Sequence, residues 1–203
     1  MKTLFTSLVA ATVFALSASA HATPTLYSQP GVENTTTYTF TATAAGNINA
    51  YFAGSTAAYV NELTLWINGV QTGIYGLNTK TSAYGDRLDF GTVNAGDKLT
   101  FALVNLTPGN VGPWFTDKSL NGDGVQHIYS SIYGGDTILP KGIFIAFEDL
   151  PNGGDFNYND ETFVFTNVAL QQSVPEPASL ALLALGAVGM RFGRKARRTQ
   201  RAA

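Results

Sequence analysis

The stretch Phe147-Glu148-Asp149-Leu150-Pro151-Asn152-Gly153-Gly154-Asp155-Phe156-Asn157-Tyr158-Asn159-Asp160-Glu161 places five carboxylates within 14 residues. Like charges this close repel one another unless water or a cation screens them. Asp155, Asn157 and Asn159 put oxygen side chains on alternate residues, the spacing of the first half of a twelve-residue calcium loop. The second half is absent, because Asp160 and Thr166 stand where such a loop has Gly and Glu. Hard oxygen donors select Ca²⁺ over transition metals. The candidate ligands are Glu148, Asp149, Asp155, Asn157, Asn159 and Asp160, with Ca²⁺ as the cofactor. The same residues also suit an ordinary turn whose Asn and Asp side chains cap their own backbone, and both readings stand at this point.

Other chemistry has few residues to work with. The chain contains no cysteine and two histidines, which excludes disulfides, thiolate zinc sites and thiol nucleophiles and leaves no multi-histidine site. Ser119-x-Asn121-x-Asp123-Gly124 has the look of a second calcium loop, but a serine replaces the first charged ligand, and a simple Asn-Gly turn is the competing reading. Paired carboxylates drawn from Glu33, Glu62, Glu148 and Glu161 would be needed for the competing reading, a secreted glycoside hydrolase. Acids gathered in one short loop suit a cation better than an acid/base pair across a cleft. Between Thr23 and Ser173 there are 13 acids against five bases, a net −8. That balance argues against nucleic acid as a partner, since phosphate binding needs a basic face.

The string Phe147-Glu148-Asp149-Leu150-Pro151, followed by Gly154-Asp155-Phe156-Asn157-Tyr158-Asn159-Asp160, resembles the signature of the domain of unknown function 4114 of bacterial surface and secreted proteins. The resemblance implies that the acidic loop lies between two hydrophobic strands and is the candidate site. Asn157 stands where the family pattern often has Asp, which lowers the charge of any cation site. No reaction follows from the resemblance.

The elements that must hold this loop read as strands. Thr36–Thr41 alternates, and Asn47–Ala53 carries Ile48, Ala50 and Phe52 on one face. Leu63–Ile67 runs into Asn68-Gly69 and then Val70, the strongest short hairpin signal. Further strands are predicted at Arg87–Phe90, Lys98–Val104, His127–Ile132, Ile143–Phe147 and Thr162–Val168. No long segment has helical periodicity, and the 21 glycines and 12% aromatic residues suit a β-rich body. The predicted fold is all-β: an antiparallel β-sandwich, jelly-roll-like, over residues 23–173. The Gly/Pro-rich stretch Thr107–Asp123 is expected to be a loop at one end, with Trp114 capping the core or stacking on a sugar ring.

The two ends read as addresses. Residues 1–22 form a signal peptide: Lys2, an apolar run from Leu4 to Leu16, and a small-residue cleavage zone ending at Ala22. Residues 174–203 hold Val174-Pro175-Glu176-Pro177, an uncharged segment Ala178–Met190, and a basic end with Arg191, Arg194, Lys195, Arg197 and Arg198. The apolar segment is a short transmembrane helix of roughly 20 Å at ~1.5 Å per residue, against a ~30 Å hydrocarbon core. Snorkelling arginines hold its end on the cytoplasmic side.

This tripartite tail resembles the PEP-CTERM sorting signal of Gram-negative bacteria. The resemblance implies processing by an exosortase near Pro-Glu-Pro. It also implies passage through the secretion machinery, a precursor held transiently in the inner membrane, and final placement at the cell surface or outside the cell. An extracellular polysaccharide is the expected partner there. The expectation for the whole chain is therefore an exported, non-enzymatic surface or matrix protein, calcium-stabilised and carbohydrate-binding.

Overall fold

The computed structural model describes residues 25–107, 109 and 112–173. The predicted signal peptide, the sorting tail and the transmembrane helix predicted within it lie outside the described residues. Among the described residues no helix is long and apolar enough to cross a membrane.

Among the described residues the chain forms eleven strands. They are β1 (Thr37–Ala42), β2 (Gly46–Ser55), β3 (Asn61–Ile67), β4 (Val70–Gly76), β5 (Arg87–Val93), β6 (Lys98–Asn105), β7 (Trp114–Phe115), β8 (Ile128–Tyr133), β9 (Gly142–Phe147), β10 (Glu161–Thr166) and β11 (Val168–Ser173). Of these, β1 and β2 bury alternate residues, and β6, β9 and β10 are buried along most of their length. They form two antiparallel sheets, ordered β11-β1-β6-β3-β4 with β7 added beside β6, and β5-β2-β10-β9-β8. Asn68 and Gly69, at φ of 50° and 83°, form the β3–β4 turn with the positive φ that such a two-residue hairpin needs.

The inner faces pack into one core. Phe40, Leu65 and Phe101 from the first sheet meet Ile48, Phe163 and Phe165 from the second. The rings of Phe101 and Phe165 are 4.1 Å apart across the sandwich. A second apolar cluster covers the outer face of the second sheet, where Tyr158 of the acidic loop packs on Phe144 and Val164. That loop is thus clamped to a sheet by its own aromatic side chain.

Two expectations are corrected. Thr162–Val168 is not one strand: the chain breaks at Asn167 (φ 62°) and crosses to the opposite sheet as β11. The Asn167 carboxamide holds the crossing by accepting from Thr43 Oγ1 and Ala44 N. The stretch Thr107–Asp123 is not wholly loop, because Trp114 and Phe115 pair with Leu103 and Ala102 of β6. Trp114 is buried, as a capping role requires.

Candidate cation site at one end of the sandwich

Antiparallel pairing brings several strand ends together. Phe147 at the end of β9 pairs with Glu161 at the start of β10 and with Ile128 at the start of β8. Glu161 also pairs with Ser55 at the end of β2, and Asn61 at the start of β3 with Asn105 at the end of β6. The acidic loop leaves β9 and re-enters at β10 within this cluster of ends.

Of the six predicted ligands, three converge. One carboxylate oxygen each from Glu148, Asp149 and Asp160 lies within 4.8 Å of the other two. Glu148 and Asp149 are buried and Asp160 is half-buried. The Asp149 amide donates to Asp160 Oδ2 at 2.9 Å, and Asn61 Nδ2 donates to Asp149 Oδ2 at 2.7 Å. Asn61 belongs to the opposite sheet, so the site spans the sandwich.

The other three side chains shape the loop. Asp155 accepts from the amide and the side chain of Asn157, Asn157 Oδ1 accepts from the Asn159 amide, and Asn159 Oδ1 accepts from Thr56 Oγ1. These are side-chain turns that stand in for backbone turns, the competing reading of that segment. Phe156 and Tyr158 take positive φ of 51° and 52° between them. Tyr158 OH donates to Gln126 O and accepts from Asn34 N. Gly154 approaches Glu148 so closely that a β-carbon there would stand 2.5 Å from Glu148 Oε1, which reserves the position for glycine.

Two rings support the carboxylates from below. Trp114 Nε1 donates to Asp149 O at 2.8 Å, and His127 Nδ1 lies 2.9 Å from Glu148 O. The rings stack at 3.9 Å with an 8° tilt, and His127 Nε2 sits 2.9 Å from Asp123 Oδ2. Asp123 also accepts from the Asn152 amide, which ties the loop after β7 to the acidic loop. Ser119 and Asn121, from the second candidate calcium loop, hydrogen-bond to Asp117 and to the Phe115 and Val125 backbone.

Charge is held here at a cost. Burial and the neighbouring Asp160 carboxylate push the Glu148 carboxyl well above the ordinary carboxylate range. Burial also raises Asp149, opposed by the Asn61 hydrogen bond. Glu161, fully buried at the start of β10, is pushed up to about 10 by burial and by the charges of Asp149 and Glu62. Glu148 Oε2, both Glu161 oxygens and Asn61 Oδ1 are buried without a hydrogen-bond partner. A proton on the carboxyls, a buried water or a cation would satisfy them.

Asn61, Trp114 and His127 are the parts of the site that sequence reasoning missed. Trp114 stands out locally only as a capping or sugar-stacking residue, and nothing in the local sequence of Asn61 or His127 distinguishes them; only tertiary packing brings the three to the loop.

Residues 173–198 match the PEP-CTERM protein-sorting motif. No curated protein and no solved structure matches the chain. Residues 62–167, just over half of the chain and spanning β3 to β10 with the whole acidic loop, match the family described as Domain of unknown function (DUF4114), and the chain belongs to that family.

Proposed function

We propose that this exported, exosortase-processed chain is a non-enzymatic surface or matrix protein whose body is stabilised by Ca²⁺ and binds carbohydrate. The observation that carries the cation is the convergence of Glu148, Asp149 and Asp160 within 4.8 Å beside buried oxygens that have no donor. Three such carboxylates repel when ionised, and a divalent ion turns that repulsion into coordination. Oxygen-only ligands favour calcium, and an extracellular module works at millimolar calcium. Carboxylates this buried are poorly placed to flank a glycosidic bond, which weighs against the hydrolase reading. The sorting motif supports the secretion machinery, the exosortase and a transient stay in the inner membrane as partners, and the cell surface or exterior as destination. The net −8 of the body keeps nucleic acid off the list of partners.

Thermal unfolding of the exported protein tests the cation. Millimolar calcium is expected to add about 1–3 kcal/mol, or roughly 2–12 °C, over chelator. Glu148→Gln and Asp160→Asn are expected to abolish the difference. Asp86→Ala, in a distant exposed turn, keeps it, and Asp155→Ala is expected to weaken the loop while retaining the calcium increment. Identical midpoints with calcium and chelator would leave the loop as a capped turn.

The tail has its own test. Intact-mass analysis of surface-released protein is expected to show a chain ending near Pro177, and the presence of residues 191–203 on that material would overturn exosortase processing.

A further inference from the structure

The two sheets meet at β4–β5 on one side and at β11–β9 on the other, where β8 and β11 are the edge strands. Between them lies a groove of about 450 Å³, walled by residues 27–29 and 33–36, the start of β1, β8, and Gln172 of β11. Its volume is that of a small-ligand site. We propose that this groove binds a neutral oligosaccharide.

The lining has the chemistry such a ligand requires. Tyr27 and Tyr129 are half-buried, with ring centroids 5.5 Å apart and a 53° tilt. Tyr27 is held rigid by its hydroxyl on Val32 O and by an edge-on contact with Tyr158 at 4.8 Å. Fixed, part-exposed tyrosines offer an electron-rich face to the C–H patch of a pyranose and lose little entropy on binding. Around them the lining is amide and hydroxyl. Half-buried Ser131 lines the groove, and its Oγ, just beneath the surface, has no hydrogen-bond partner, so a small side-chain rotation would present it to a ligand. A sugar hydroxyl, both donor and acceptor, would complete it.

Charge selects the class of sugar. The lining contains Glu33 and no lysine or arginine, while Lys118, which pairs with Glu33 at 2.6 Å, is not part of it. With Glu33 already neutralised by Lys118, the wall offers the anions of a uronate or sulfated chain no spare positive charge, whereas a neutral sugar needs none. A peptide adding as a strand fits less well, because the outer edge of β8 is already engaged. Asn34 Nδ2 donates to Ile128 O at 3.0 Å, and the Tyr38 hydroxyl lies against the Ser130 backbone. A continuous ladder, which strand addition requires, is not available there.

This proposal rests on the carbohydrate-binding part of the reading above and is independent of the cation. The test is calorimetric titration of the full exported protein, in calcium and in chelator. The probes are cellohexaose, mannohexaose, N-acetylchitohexaose and, as the anionic arm, hexagalacturonate. At least one neutral hexaose is expected to bind, more tightly than hexagalacturonate. Tyr129→Ala and Ser131→Ala are each expected to weaken it tenfold or more without altering the calcium-dependent rise in melting temperature. That rise reports folding, and Ser131→Ala removes one oxygen should the tyrosine variant fail to fold. Neutral-sugar binding that survives both variants would overturn the groove while leaving carbohydrate binding intact elsewhere. Absence of binding to all three neutral probes, or preference for hexagalacturonate, would also overturn it, and the calcium shift would then stand or fall separately.

Discussion

Trp114→Ala is expected to lower the free energy of unfolding by about 3–5 kcal/mol, the range for deleting a large buried aromatic. Three losses coincide at this position. The ring leaves a void beneath the carboxylate cluster, His127 loses its stacking partner at 3.9 Å, and the buried Asp149 carbonyl loses its donor. Trp114→Phe separates them, since it keeps most of the ring but not the indole N–H. It is expected to cost about 1–3 kcal/mol for the unsatisfied carbonyl. Because Asp149 is positioned by that hydrogen bond, both variants should also lose calcium affinity, with alanine the worse. Urea unfolding with and without calcium provides the measurement. A Trp114→Ala protein as stable as the parent, with an unchanged calcium increment, would remove the tryptophan from the architecture of the site.

In chelator, stability is expected to fall as pH rises from 5 to 8, opposite to the usual carboxylate behaviour. The folded state holds the Glu161 proton up to about 10, whereas in the unfolded chain Glu161 ionises near its ordinary 4.5. Between those limits the folded state binds one more proton than the unfolded state. Stability is therefore fully present below the unfolded value and is lost with rising pH at up to about 1.4 kcal/mol per unit. Over three units this amounts to about 4 kcal/mol as an upper bound from Glu161 alone. The raised carboxyls of Glu148 and Asp149 act in the same direction. Calcium bound at the proposed site would work against this slope, because its ligands bind as carboxylates and its affinity would grow with pH. Urea midpoints from pH 5 to 9 should therefore decline steeply in chelator and much less in calcium. Glu161→Gln should flatten the decline in chelator. A chelated protein that gains stability over this range would show that these carboxyls are ionised in the folded state.

The strands were largely legible because their signals are local. Thr37–Ala42 and Gly46–Ser55 bury alternate residues as their patterns predict, and Asn68-Gly69 turns where its positive φ requires. The missed elements had weak local signals. β7 is two residues long and exists because Trp114 and Phe115 find β6, and the break at Asn167 is held by contacts with Thr43 and Ala44, more than 120 residues away.

The sequence by itself determined the family, the sorting tail, the all-β character and the position of the acidic loop between two apolar strands. Each of these is written in contiguous residues or in short-range periodicity. Only the tertiary structure decided which oxygens in that loop face one another. Asp155, Asn157 and Asn159 have the more suggestive spacing, but their side chains are used in turning the loop. Glu148 and Asp149, which leave β9, meet Asp160, which enters β10, because antiparallel pairing returns the chain to the place it left. Asn61 comes from the other sheet, and Trp114 and His127 lie under the backbone of Glu148 and Asp149. Convergence of that kind depends on strand register and on the packing of two sheets, and spacing along the chain does not encode it.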